Sequence, residues 1–444
     1  MKLQFRALVD SGRALASGRQ AFIRSGVWSL GLRVAGLASG FALGVLLARM
    51  LGPKEFGIYG LVTTVAAVGM TIAQLGTPQL AVRELSVRSA NNDWAGVKTI
   101  LVQFGLAATL AGLAIAVIAL GGGALAGISP FELTLIAEGA VLTLLTAYTG
   151  LFAAELRGLG ALLKGQSMDI TVRPAVTFLI VAALLLAGSR MDAVIALTVQ
   201  NAVTLVAAAV SAWWLWQAIP RPVRHTRRAP AVPWLAVALP LGAVDVLRQF
   251  DGSYGVVIVG WLASGVELGV FRVAVACSVL AAMPVTIFHI LLAPTLSRLH
   301  AANNRAELQR LLSWSAAAMT AIMLPIALAA WFLGKPVVGL VFGAPYADAW
   351  LPLFLLTLAQ LIYALFGMGP ILLAMCDGER DLIRIYAIAV GCAVAAAIPL
   401  TMTWGGAGAA AAPMISGSLI GWMSRRYARR ELGVEITAAR LITA

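Results

Sequence analysis

The sequence predicts an all-α polytopic membrane protein of about twelve transmembrane helices in two six-helix lobes. Three observations carry that expectation. The 444 residues are 61% hydrophobic and only 11% charged, with a mean hydropathy of +0.91, too little polar material to cover a water-soluble fold of this length. Apolar runs of about 20 residues, the length a helix needs to cross a bilayer, recur along the whole chain, and the alternating ten-residue segments of a β-barrel are absent. There is also an internal echo. Glu55, Gly57 and Tyr59 of LGPKEFGIY align with Glu267, Gly269 and Phe271 of LASGVELGVF at one constant offset of 212, close to half the chain.

In order, the spans of the first half are expected at about 27–50, 56–74, 99–120, 131–153, 170–187 and 191–218. Those of the second half are expected at about 234–261, 268–294, 312–333, 350–375, 386–403 and 408–423. Gly52-Pro53 punctuates the first pair, and Gly405-Gly406-Ala407-Gly408 reads as a helix break between the last two. Residues 1–24 form an N-terminal segment, 25–220 an N-lobe, 221–232 a basic linker, 233–424 a C-lobe and 425–444 a basic tail. The N-terminal segment lacks the continuous apolar core of a cleavable signal, and its Arg and Phe spacing suits a short helix lying on the cytoplasmic face. An amphipathic stretch, 335–349, precedes the tenth span.

Of the Lys and Arg outside the spans, 24 fall on the side of the termini and three, Lys54, Arg190 and Lys335, on the other. Positive-inside bias then puts both termini in the cytoplasm. An even number of spans per half makes the halves parallel repeats about a pseudo-two-fold along the membrane normal. The net charge of +13 is this loop charge, so no nucleic-acid partner is expected. Cys277, Cys376 and Cys392 have no metal-ligand spacing. The chain has no phosphate-binding P-loop, HExxH, CxxC or nucleophile elbow, so neither metal nor cofactor is expected. Polar groups within the spans are the chemistry on offer.

Asp245, Arg248 and Asp251 are the sharpest signal. At i, i+3 and i+6 they share one broad helix face, and such charge in hydrocarbon marks an ion or substrate path or pairs with itself. Arg248 has an acid three residues away on either side, which predicts an internally paired cluster; the competing reading is a structural lock on helix packing. Arg49 and Arg272 lie near the outer ends of their spans, where positive-inside bias explains no cation. Arg33 and Arg173 lie near the cytoplasmic ends, where snorkelling competes with function. His289 reads as a packed, hydrogen-bonded side chain rather than a proton relay. Gln74, Gln103, Gln200, Asn201 and Gln360 are expected to bond across helices, and Asn201 and Gln360 also suit a sugar. Guanidinium groups in a cavity bind phosphate or carboxylate bidentately and keep their charge when buried, so an amphipathic ligand with an anionic head and a lipid tail fits.

The blocks LLARMLGPKEFGIYGLV (46–62), LAVRELS (80–86), APTLSRLH (293–300), LVFGAPYADAW (340–350) and GGAGAAAAPMIS (405–416) give the chain from about Ser25 to Gly433 a resemblance to the polysaccharide flippase family. That family handles lipid-linked oligosaccharides such as O-antigen units and belongs to the multidrug/oligosaccharidyl-lipid/polysaccharide exporter superfamily. The resemblance implies two lobes forming a V around a central cavity in a bacterial inner membrane. It implies a polyprenyl-pyrophosphate-linked glycan moved from inner to outer leaflet by alternating access, coupled to a gradient of Na+ or H+. Implied partners are the lipid-linked oligosaccharide, membrane lipids and the polysaccharide polymerase machinery. Arg49 looks like the cavity arginine that ends the first helix of related lipid II flippases, and Asp251 is similar to a seventh-helix acid of the family; Asp245 and Arg248 match no family pattern. The expected substrate contacts are therefore Arg49, Arg248, Arg272, Arg33 and Arg173, and the expected ion-coupling acids Asp251 and Asp245. A lipid II-type flippase is one alternative. A drug/cation antiporter would want acids in the first lobe, where only Glu55, Glu132 and Glu138 stand, the first two at helix ends. A glycan polymerase or ligase would need a large external loop, and the longest are near 121–130 and 335–349.

Overall fold

The computed structural model describes residues 2–219, 233–375 and 378–438, which fold into helices joined by short turns. The basic linker 221–232 and the end of the tail, 439–444, lie outside the described residues. In the first half, α1 (Lys2–Gln74) holds two spans, followed by α2 (Thr77–Ala90), α3 (Trp94–Leu125) and α4 (Pro130–Gly158). Then α5 (Leu162–Gln166) runs through a π-helical turn (Ser167–Val172) into α6 (Arg173–Leu186), and α7 (Ala193–Ala218) closes the half. In the second half come α8 (Leu235–Asp251), α9 (Tyr254–Leu262), α10 (Gly265–Ala281), α11 (Met283–Ala301) and α12 (Arg305–Phe342). A 3-10 turn (Ala344–Ala349) leads to α13 (Trp350–Leu365), α14 (Gly369–Met375) and α15 (Glu379–Tyr427).

Eight helical stretches among the described residues are long and apolar enough to cross a membrane, and the α10–α11 pair, bent by 41°, makes a ninth. Two of the eight are hairpins. Gly52 (φ 70°) and Gly405 (φ 57°) break α1 and α15 in a backbone region that only glycine enters at little cost. Ser29 and Gln74, on opposite arms of α1, both lie at Gln166, so the chain has doubled back at Gly52. Adding these two reversals and the broken α8–α9 pair yields the expected twelve spans. The fold is thus all-helical and polytopic, with six spans in each lobe. The separate interfacial helix expected at the N-terminus is instead continuous with the first span.

Tryptophans mark the membrane borders. Trp28, Trp213, Trp216, Trp314 and Trp422 are exposed toward the face that carries the start of α1 and the described part of the tail, here the near face; Trp261, Trp331 and Trp404 are exposed toward the far face. Indole rings, amphipathic in themselves, collect at both interfaces of a bilayer. Between the belts, α3 and α7 turn Leu110, Leu113, Val117, Leu205 and Val206 outward, as lipid-facing helices do.

On the near face the described part of the tail is clasped. Gln309 donates to the Glu435 carbonyl (2.7 Å) and accepts from the Glu435 amide (2.6 Å). Arg425 Nε donates to the Glu435 carboxylate at 2.7 Å, and Arg429 also binds it. Val434 and Ile436 are buried with Leu308, Leu312, Met368 and Leu372. Burial works against ionisation of Glu435, yet Arg425, Thr437 and Arg429 hold its carboxyl at about 2.

Two expectations follow. In a variant freed of native cysteines, a cysteine at Ser264 or Ala126 labels from outside the cell, and one at Asn303 labels only after permeabilisation; outside labelling at Asn303 overturns the orientation drawn from loop charge. The Glu435 pKa is depressed on folding, so its contribution to stability is complete above the ordinary carboxyl value and lost as pH falls through the folded one. The melting-temperature gap between the wild type and Glu435→Gln therefore stays constant from about pH 7 to about pH 5 and closes toward about pH 2.

Candidate functional site at the lobe seam

The repeat seen in sequence is built into the seam. A Cβ on Gly57 would meet the Gly265 carbonyl at 2.6 Å and the Gly269 nitrogen at 2.8 Å, and a Cβ on Gly269 would meet the Pro53 backbone. Residues 53 and 265 are themselves separated by the repeat offset, so this contact between the second arm of α1 and α10 is reciprocal about the pseudo-two-fold. The same symmetry places two acids. Glu55 accepts the Ala193 amide at the start of α7 (3.2 Å), and Glu267 accepts the Gly406 amide at the start of the last span (2.6 Å). Each carboxylate satisfies an orphan helix N–H and meets the positive end of a helix dipole.

Farther out, the Tyr346 hydroxyl donates to the Ala48 carbonyl (2.7 Å). Arg49 donates from Nε to the Val341 carbonyl (2.9 Å) and from Nη2 to the Leu340 carbonyl (2.7 Å). Together these contacts seal the lobes at the far face. At the near face the lobes meet where Gly76 packs against Ala238 and Gly242 and where Gln79 Nε2 donates to Asp245 at 2.7 Å.

Two cavities flank α10. The first, about 490 Å³, lies between lobes and is lined by Gly36, Gly40, Asp169, Arg173, Gln200 and Arg272. The π-helical turn places Asp169 on it; such turns are short insertions common at functional sites. Arg173, at the start of α6 beside Pro174, pairs with Asp169 at 3.4 Å, and Thr149 donates to the same carboxylate at 3.3 Å. Arg272 crosses from α10 over Gly60, whose missing side chain leaves room for it. Its Nη1 donates to Thr64 Oγ1 at 3.2 Å, and its Nε is buried without a partner among the described residues. Gln200 accepts a hydrogen bond from the Tyr59 hydroxyl. One acid stands against two guanidinium groups, so the cavity carries excess positive charge.

The second cavity, about 570 Å³, lies within the C-lobe and is lined by Arg248, Asp251, Tyr254, His289, Gln360, Tyr363 and Tyr386 among others. Three of its walls are broken spans. The α8–α9 break at Gly252, the α10–α11 bend at Ala282 and the first turn of α14, at Pro370 and Ile371 just past the irregular turn from α13, all face it. Broken helices at membrane depth are tolerated where they line a cavity. Arg248 stacks over the Tyr386 ring at 5.9 Å. His289 and Tyr363 make a T-shaped ring contact, their centroids 6.0 Å apart. Val275 and Val279 border both cavities, which therefore adjoin along α10.

Several expectations change. No ion pair joins Arg248 to Asp245 or Asp251 among the described residues. At 3.6 residues per turn, i and i+6 diverge by about 120° around the helix, so Asp245 reaches Gln79 on α2 while Asp251 turns into the C-lobe cavity. Arg49 lines neither cavity, because helix-end carbonyls occupy its guanidinium. Arg33 also lies outside both, near Arg157. Arg173 does not simply snorkel. The expected hydrogen bond of His289 is not made at Nε2 among the described residues. Gln74 bonds across to Ala147 and Asn201 to Glu138, as read from sequence. Asp169, Tyr254, Tyr363 and Tyr386 were not singled out from sequence; of these, only Asp169 carries a local mark, an arginine four residues on.

Fold and seam define a two-lobe, all-helical membrane protein. Residues 24–300 match the family model described as "Polysaccharide biosynthesis protein", and the chain belongs to that family. No curated protein matches. Among solved structures the chain is similar to an inward-facing multidrug resistance MATE family transporter of the MOP superfamily (14% identity, 92% of this chain and 96% of that one, TM-score 0.74). It is also similar to the lipid II flippase MurJ in an inward closed conformation (15%, 92% and 87%, TM-score 0.70) and to the Vibrio cholerae MATE transporter VcmN in a bent form (13%, 87% and 96%, TM-score 0.55). At these identities the likeness establishes the two-lobe fold.

The placement of Asp245 is testable by double-mutant cycles on thermal stability. Gln79→Ala with Asp245→Ala is expected to show a coupling of about 1 kcal/mol, the scale of a hydrogen bond to a charged group at a half-exposed site. Asp245→Ala with Arg248→Ala should couple less; the reverse order restores the paired cluster.

Proposed function

We propose that this chain is a flippase that carries a polyprenyl-pyrophosphate-linked oligosaccharide from the inner to the outer leaflet of a bacterial cytoplasmic membrane. It works by alternating access, as a transporter and not an enzyme, and both termini are cytoplasmic. The observation that carries the reading is the cavity between lobes, where Arg173 and Arg272 outnumber Asp169. Guanidinium groups suit a pyrophosphate, and a site open at a lobe seam lets a lipid tail stay in the bilayer. Family membership supports a lipid-linked glycan substrate.

In this reading Arg272 and Arg173 hold the anionic head, with Arg33 near the entry and Arg248 at the edge of the C-lobe cavity. Arg49 acts on the far-face seal rather than on substrate. Asp251 is the ion-coupling acid for Na+ or H+, and Asp245 belongs to the near-face contact. The flipped glycan passes to polymerase machinery on the outer side. The multidrug likeness favours a cationic drug less, since the cavity at the seam is itself cationic.

Surface-glycan staining of a deletion strain complemented with variants tests this. Arg272→Ala is expected to lower surface glycan at least tenfold at normal protein level, and Arg272→Lys to recover part of it, a point charge without the fork. Arg49→Ala is expected to lower thermal stability first. Normal surface glycan with Arg272→Ala, or export of a cationic dye that needs Asp251 but not Arg272, sinks the reading.

A further inference from the structure

The C-lobe cavity holds three buried polar atoms with no hydrogen-bond partner among the described residues: Asp251 Oδ1, Tyr254 OH and His289 Nε2. Tyr254 is 1% exposed. A native fold pairs nearly all such atoms, and exceptions clustered in one cavity mark a place where something else supplies the partner. Ser416 lies beside both Asp251 and Tyr254, but its one proton is directed to the Pro413 carbonyl, so it supplies no donor to the Asp251 carboxylate. Around the three atoms stand Gln360, whose amide both donates and accepts, and the ring of Tyr363. Arg248 lies over the Tyr386 ring, and Tyr363, in T-shaped contact with His289, adds a second aromatic ring to the wall.

From this arrangement we infer that the C-lobe cavity is the subsite that reads the carbohydrate, while the cavity between lobes takes the anionic end of the same molecule. Three features select a polyhydroxyl ligand. The unpartnered atoms include acceptors and a hydroxyl, and a sugar hydroxyl both donates and accepts. Arg248 and Asp251 balance, so the cavity's charge suits a neutral group, whereas the neighbouring cavity has excess positive charge. Its volume, about 570 Å³, falls among ligand pockets of roughly 300–1,000 Å³. Because Val275 and Val279 border both cavities, one amphipathic molecule can lie across α10 with its anionic group at Arg272 and its sugar at Gln360, Tyr363 and His289. This assignment rests on the flippase reading for the molecule that joins the two ends; the sugar subsite itself rests on the unpartnered atoms.

The test uses the full chain purified in detergent and two separate probes. One is the glycan released by mild acid from the lipid-linked pool of the strain that makes the protein. The other is geranylgeranyl pyrophosphate, which carries no glycan. Affinities are read by intrinsic fluorescence on variants checked for thermal stability. Gln360→Ala and His289→Ala are expected to weaken glycan binding at least tenfold and to leave the lipid pyrophosphate unchanged; Arg272→Gln is expected to do the opposite. Should an alanine variant fail to fold, the volume-keeping Gln360→Met and His289→Leu give the same reading. Glycan binding that is absent from the wild type at millimolar concentration, or unchanged in both C-lobe variants, overturns the subsite. Failure of geranylgeranyl pyrophosphate to bind the wild type strikes the flippase reading instead, and glycan binding that still depends on Gln360 would stand apart from it.

Discussion

The backbone of the second arm of α1 lies against the backbone of α10 at Gly57 and Gly269, and the placement of both cavities follows from that contact. Lipid tails are as apolar as the helices, so helices in a bilayer associate through close packing and hydrogen bonds rather than through burial of apolar surface from water. Small residues let backbones approach, and here a Cβ on either glycine would strike the opposite main chain. The seam in turn fixes where the cavities lie, because α10 is both the partner of α1 and the wall shared by the two cavities. It also fixes the hairpin turns at Gly52 and Gly405, since Glu55 and Glu267 reach from the seam helices to the starts of α7 and of the last span.

A seam of this kind is easily broken at one end and kept at the other. At the far face it is reinforced by main-chain acceptors: Tyr346 on Ala48, and Arg49 on Val341 and Leu340. At the near face it rests on the Gly76–Gly242 approach and the Gln79–Asp245 hydrogen bond. The far-face set occupies helix-end carbonyls that otherwise have no partner, whereas the near-face bond joins two side chains that water can satisfy as well. The asymmetry makes the near face the weaker closure in this state.

How much of this could be read in the sequence depends on the range of the interaction. The repeat was legible because Glu55, Gly57 and Tyr59 return at one offset with their chemistry kept. Spans were legible from apolar length, and the reversals from Gly52-Pro53 and the Gly405–Gly408 run. The paired Asp245–Arg248–Asp251 cluster was a local inference, and it failed because Gln79, 166 residues away, competes for Asp245. The partners of Arg49 are backbone carbonyls, which every residue has, so no side-chain pattern announces them. The seventh span read as one continuous stretch, 234–261, because apolar content does not register a break at Gly252. The tyrosines of the C-lobe cavity come from three separate spans that only the fold brings together.

The two halves share a backbone plan but not a chemistry, and the residue that separates them is Arg272. At the repeat offset of 212 its counterpart is Gly60, and the Arg272 side chain lies across that glycine. Two arginines at these positions would compete for one space on the pseudo-two-fold; an arginine and a glycine fit. The substitution has further consequences along the same helices. Thr64 accepts from Arg272, while its counterpart, Ala276, has no side-chain acceptor to offer. Tyr59 donates to Gln200 at the cavity between lobes, while its counterpart, Phe271, has no hydroxyl and packs against the last span. A symmetric seam thus carries an asymmetric pair of cavities, one cationic and one balanced in charge, and the break in symmetry falls at the glycine that lets an arginine from one lobe enter the other.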